Sequence, residues 1–355
     1  MSKNLTSPLR GRGALGNPDN RYADWQREAV DDGWGSLDQP LEPIRTTLTP
    51  DTSRTIITYN DSPDVGFDRS INPYRGCEHG CIYCFARPTH AYLSLSPGLD
   101  FETKLFYKPD AASQLRNELD KKSYHPQPLM LGINTDAWQP AERQLGITRQ
   151  VLEVLQEYRH PLGIVTKSAL IERDVDILAE MAQHHLVSVA ISITTLDRTL
   201  SRTLEPRAAA PQRRLEVVRR LAEAGIPVGV LVAPLIPVLT DSELEKIMEA
   251  SRDAGARYAG YVLLRMPLEI EGLFEQWLHT HAPLKAEHVL SRMRDSHGGK
   301  TYDSRFGDRM RGNGPYAEMI AKRYRIARKK FELDHETPLD ISLFKRPGDT
   351  QLDLF

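Results

Sequence analysis

The chain has 355 residues, with 46 Lys and Arg against 48 Asp and Glu, a formal net charge of -2, and 40% apolar and 26% charged residues. That length allows one large domain with extensions or two ordinary domains, and the balance suits a soluble protein. No apolar run approaches membrane-spanning length, and the opening MSKNLTSPLRGRG lacks the apolar core of a secretory signal, so the cytoplasm is the expected compartment.

Residues 1–50 are rich in Gly, Pro, Asp and Arg and read as an extended arm on the body of the protein. RTIITYNDS follows as a strand, and FDRSINPYRGC as a second that delivers its end into a loop. The chain then alternates. PLMLGINTD, LGIVTKS, LVSVAISITT, PVGVLVAPLIP and YAGYVLLRMP read as buried strands, each followed by a helical pattern. Near-continuous apolar runs of this kind belong to parallel strands covered on both faces. With the strand that leads into the loop, six βα units span about residues 70–282. Periodicity leaves a doubly wound sheet and an open partial barrel both standing.

The expected organisation is an arm with its lead-in strand over residues 1–68, the βα body over 69–284, and a C-terminal extension, mainly helical, over 285–355. Residues 285–330 hold thirteen Lys and Arg against five acids, a local net charge of +8. Such a face attracts phosphate, or it is the solvated side of an amphipathic helix in which Met319, Ile320, Tyr324 and Phe331 supply buried contacts.

All three cysteines of the chain, Cys77, Cys81 and Cys84, lie within RGCEHGCIYCFARP. Three clustered thiols make a poor disulfide framework and suit a reducing compartment. A zinc site needs a fourth ligand, for which His79 and His90 lie nearby, and a redox pair leaves one thiol unexplained. An iron–sulfur cluster with three thiolate ligands and one open iron uses all three. Gly76 and Gly80 allow the tight turns such a loop needs.

The spacing C-x3-C-x2-C, with Tyr83 before the last cysteine, resembles the signature of the radical S-adenosylmethionine (SAM) superfamily. The segments RGRGALGNPDNRY, YRGCEHGCIYCFARPTHAY, GINTDAWQPAER, TKSALIERDVDIL, SITTLDRTLSRTLEPRAAAPQRRLE and GYVLLRMP resemble a bacterial group within it, related to spore photoproduct lyase. The resemblance implies an α/β fold, a partial (β/α)6 TIM-like barrel. It also implies one [4Fe-4S] cluster on Cys77, Cys81 and Cys84, SAM on the open iron, and an external one-electron reductant such as flavodoxin or ferredoxin. Reductive cleavage of SAM then yields a 5'-deoxyadenosyl radical that abstracts hydrogen from a substrate.

The resemblance also assigns cofactor contacts. GINTD stands where the superfamily has a glycine-rich motif, with Gly132 permitting close approach and Asn134, Thr135 and Asp136 supplying polar groups. Lys167 matches the residue that meets the methionyl carboxylate, and Ser192 the residue near the ribose. Glu205 and Arg207, around Pro206, clamp the cofactor or bridge to each other, and Tyr83 packs beside adenine, cluster or core. The related lyase uses a further cysteine to return hydrogen to its product, and this chain has no thiol left for that task. Direct transfer of the repair reaction is therefore not expected. A nucleic-acid nucleotide leads the candidate substrates, ahead of a metabolite or a peptide, with a non-catalytic nucleic-acid-binding module as the remaining reading.

Overall fold

Ten strands organise the described residues. They are β1 (Thr47–Pro50), β2 (Ile57–Tyr59), β3 (Arg69–Ile71), β4 (Tyr74–Arg75), β5 (Lys104–Tyr107), β6 (Leu129–Leu131), β7 (Leu162–Thr166), β8 (Val187–Ser192), β9 (Val228–Leu235) and β10 (Tyr258–Leu263). The structure, a computed structural model, describes residues 9–22 and 44–348. The remainder of the expected arm, residues 1–8 and 23–43, and residues 349–355 lie outside the described residues.

The larger sheet has the order β10-β9-β8-β7-β6-β3-β2. Every neighbouring pair from β3 to β10 is parallel, and β2 joins β3 antiparallel. Spatial order follows chain order across the six parallel strands, with no reversal. A doubly wound sheet requires a switch point where that order turns back. Its absence here makes the sheet barrel-like, with an antiparallel strand added at one edge. The expected partial barrel is the observed architecture.

Register builds the interior. Ile71, Leu131, Ile164, Val189 and Val228 pair in succession across five strands, and none is more than 1% exposed. Helices Ile147–Glu157, Val175–Gln183, Pro211–Glu223, Leu244–Asp253 and Ile270–His281 follow β6 to β10 as the apolar periodicity expects. Pro211 opens one of them where its missing N–H costs nothing, and Gly225, with φ of +76°, lies just past its end.

One part of the fold went unread. Between β3 and β6 the chain forms helices Leu99–Thr103 and Ala111–Leu119 and contributes to a second sheet, β1-β5-β4. Its strands have two to four residues, too short to carry a period. The C-terminal extension forms helices Ala286–Asp295 and Gly314–Lys330. Beyond them Leu333 accepts a hydrogen bond from the N–H of Ala259, and the N–H of His335 donates to the carbonyl of Arg257. The extension thus covers the edge strand β10, whose backbone would otherwise invite pairing with another chain. One expectation fails here, because Met319 is exposed. The buried stripe runs through Ala317, Ile320, Ala327 and Phe331, and Met319 sits about 100° from Ile320 around the helix.

Candidate functional site

The cysteine loop leaves β4 and turns at two glycines in the left-handed region, Gly76 (φ +80°) and Gly80 (φ +66°). A Cβ on Gly76 would stand 2.9 Å from the carbonyl oxygen of Phe101, and one on Gly80 2.8 Å from a carboxylate oxygen of Glu102. Both turns therefore need glycine. Cys77 and Cys81 are buried and Cys84 is half-buried. Burial raises all three thiol pKa values, that of Cys81 to about 12, with charge repulsion from Asp136 and the other thiols adding at Cys77. Three thiolates at such a place require compensating positive charge, which the irons of a cluster would supply.

Among the described residues no three His, Cys, Asp or Glu side chains converge on a single metal-ion position. A four-iron cube asks for less convergence, since each thiolate binds its own iron. The histidines of the zinc alternative are engaged elsewhere. His79 Nδ1 lies 3.4 Å from Asp136, while His90 Nε2 meets the Lys104 carbonyl at 3.0 Å and its ring packs edge-on against Phe101. The donor set and the path of the loop fit the cluster.

A buried ion pair clamps this loop. Arg87 and Glu102 are both fully buried and meet at 2.5 Å. Arg87 also donates to the carbonyls of Gly80 (3.0 Å), Cys81 (2.8 Å), Pro97 (3.1 Å) and Gly98 (2.9 Å). Glu102 accepts from the backbone N–H groups of Gly13 (3.0 Å) and Ala14 (2.9 Å). The described part of the arm is thus strapped across the loop, so closely that a Cβ on Gly13 would lie 1.9 Å from the Gly80 carbonyl oxygen. The pair escaped the sequence reading. A charged residue three positions after Cys84 was the one available signal.

The polar groups at the following strand ends form one network. Lys167, just past β7, donates from Nζ to Ser192 Oγ at the end of β8 (2.7 Å) and lies 4.0 Å from Glu205. Ser192 Oγ and Thr194 Oγ1 both donate to the Ala233 carbonyl at 3.0 Å. Tyr83 donates to Glu205 and meets Thr194 at 3.1 Å, and its ring faces Lys167. Burial alone would raise the Glu205 pKa. Arg214 and then Lys167 outweigh it and hold the carboxyl down to about 2. Lys167, Ser192, Glu205 and Tyr83 are therefore brought together, with Arg214 and Thr194 as members that sequence reasoning missed.

Other expectations need correction. Glu205 and Arg207 do not bridge to each other. Glu205 pairs with buried Arg214, whereas Arg207 reaches Glu78 at 3.1 Å. Asp136 faces inward: its oxygens accept from Trp138 N–H (2.9 Å), Thr166 Oγ1 (2.8 Å) and Lys167 N–H (2.7 Å). Thr135 Oγ1 donates to the Tyr74 carbonyl at 2.8 Å. Both hold the loop after β6 through these bonds. The close approach that requires Gly132 is to the chain itself, since a Cβ there would lie 2.3 Å from the Val165 carbonyl oxygen. Asn134 remains exposed at the tip.

Comparison with known proteins agrees with this geometry. Residues 71–250 match the model of the Radical SAM superfamily. An uncharacterized protein of Mycobacterium tuberculosis is 38% identical over 231 residues, covering 64% of this chain and 67% of that one. An uncharacterized protein of Methanocaldococcus jannaschii is 27% identical over 173 residues, covering 49% and 62%. Spore photoproduct lyase complexed with dinucleoside spore photoproduct superposes with a TM-score of 0.59 at 17% identity over 80% of this chain and 79% of that chain, a likeness of fold. A variant of that lyase with bound AdoMet and dinucleoside spore photoproduct gives 0.58 at 16% identity over 80% and 78%. With a family match over half its length and the expected six-stranded partial barrel beneath its cysteine loop, the chain belongs to the radical SAM superfamily.

Proposed function

We propose that this protein is a radical SAM enzyme whose Cys77, Cys81 and Cys84 hold one [4Fe-4S] cluster and whose substrate carries a nucleotide. The observation that carries the reading is the position of the three thiols. They share one clamped loop with Tyr83, whose hydroxyl joins the network of Glu205, Thr194 and Lys167 at the neighbouring strand ends. When bound, the cluster supplies the electron that cleaves SAM to methionine and a 5'-deoxyadenosyl radical, and an external reductant such as flavodoxin or ferredoxin restores it.

The protein's own work is placement. Lys167 offers an ammonium to the methionyl carboxylate, and Glu205, kept ionised by Arg214, holds Lys167 and Tyr83 in position. Ser192 offers a hydroxyl beside it for the ribose. Dithionite-reduced, cluster-loaded protein is expected to convert SAM to 5'-deoxyadenosine. Lys167→Met is expected to keep its iron while weakening SAM binding by about tenfold or more, the scale of a charge-assisted contact. Repeated absence of cleavage in verified cluster-loaded protein would sink the enzymatic reading.

The nucleotide is supported by the basic extension and by the ligand of the lyase that shares the fold. The extension's charge is partly spent within the protein. Arg292, Arg294, Arg305, Arg309 and Arg323 each pair with an acid. Lys322, Arg325 and Lys329 recur along one exposed stripe of the helix Gly314–Lys330. Binding of single-stranded and duplex oligonucleotides is expected to weaken steeply with salt. Lys322→Gln, Arg325→Gln and Lys329→Gln together should flatten the log–log slope by about two to three, close to one per lost phosphate contact. Absence of binding at low salt would move the substrate to the metabolite class.

A further inference from the structure

Two arginines lie over two phenylalanine rings where β10 ends, and among the described residues only one of them has hydrogen-bond partners. Met310 accepts from the Leu263 N–H at 2.9 Å, which lays the 303–312 loop over that strand end. From this loop Arg309 covers Phe306, with 4.6 Å between guanidinium carbon and ring centre, and donates to Asp64 and Ser62. Arg265, two residues past β10, covers Phe85 at 5.0 Å, and Phe85 directly follows Cys84. Among the described residues Arg265 has neither a hydrogen bond nor an ion pair, and its Nε is buried without an acceptor. Asp64 lies within electrostatic reach, but its oxygens already accept from the Gly307 N–H at 2.6 Å and from Arg309. The two arginines and Asp64 leave a local charge of +1.

We propose that Arg265 is the anchor for a phosphate oxyanion of the substrate, held beside the cysteine loop by its contact with the Phe85 ring. This deepens the enzymatic reading above and rests on it. A guanidinium that lies over a ring and has no hydrogen bond to the protein keeps N–H groups to offer, and a guanidinium grips phosphate through two parallel hydrogen bonds. Contact with the ring and burial of Nε restrain the side chain in advance, so less freedom is lost on binding. Phe85 follows the third cysteine directly, so an anion held there sits next to the reacting centre. The flank stripe of Lys322, Arg325 and Lys329 would gather a charged polymer, and Arg265 would set one phosphate of it.

The test is titration of inorganic pyrophosphate into anaerobic, cluster-loaded protein by calorimetry, with SAM in excess so that the probe does not compete for the cofactor position. Wild type is expected to bind saturably, and Arg265→Met to bind about tenfold or more weakly. Arg265→Lys, which keeps the charge but not the fork, is expected to fall between them. Lys246→Met, an exposed change on the helix Leu244–Asp253, should match wild type. Succinate in a parallel series should bind more weakly than pyrophosphate. No wild-type binding, equal affinity in Arg265→Met and Arg265→Lys, or a preference for succinate would each overturn the assignment. Formation of 5'-deoxyadenosine by the same wild-type preparations reports separately on the enzymatic reading, so failure of one is not mistaken for failure of the other.

Discussion

Cys81→Ala is expected to abolish the four-iron signal and SAM cleavage while leaving the barrel folded. Cys81 packs with Ile82, Tyr83, Leu99 and Leu204 in an apolar cluster separate from the one that fills the six-stranded sheet. Truncating it therefore spares the layer of Ile71, Leu131, Ile164, Val189 and Val228. Two remaining thiols, one buried and one half-buried, hold an iron cube poorly, and the nearby His79 and His90 already contact Asp136 and the Lys104 carbonyl. The loss of activity should well exceed the roughly 10–100-fold effect of removing an outer partner of a metal ligand. Iron and sulfide analysis, electron paramagnetic resonance of the reduced protein and circular dichroism measure the three parts of this expectation. A reducible four-iron signal at wild-type stoichiometry in Cys81→Ala would remove the ligand assignment.

Arg87→Met is expected to destabilise the protein by about 3–5 kcal/mol, the cost of breaking a buried ion pair and stranding one charge. Glu102 would keep its bonds from Gly13 and Ala14 but lose its only salt-bridge partner among the described residues. The carbonyls of Gly80 and Cys81 would lose their buried donor at the same time. The double variant Arg87→Met with Glu102→Gln should recover part of the loss, because the stranded charge is gone. Denaturant unfolding reads the stability, and the rate at which a chelator strips iron reads the clamp on the cysteine loop. A stability within about 1 kcal/mol of wild type and an unchanged stripping rate would show that the pair does not brace the loop.

Local features were open to a reading of the chain alone. The cysteine triplet lies within eight positions, and the strands from β6 to β10 are runs of apolar residues bounded by turn signals, so each announces itself within its own segment. Gly76 and Gly80 follow from the same loop, because tight turns favour glycine wherever they occur. Tertiary structure alone decided the partners. Glu205 turns to Arg214 on the next helix and not to Arg207 two residues away, since which way a side chain leaves a turn depends on what packs around it. Gly13 meets the Gly80 carbonyl across 67 positions of chain, and among the described residues Arg265 is left unpaired while Asp64 is taken by a loop 245 positions away. Periodicity records how each segment faces the core. It holds no information about which distant segment arrives to meet it, and charges and glycines acquire their roles only when that contact forms.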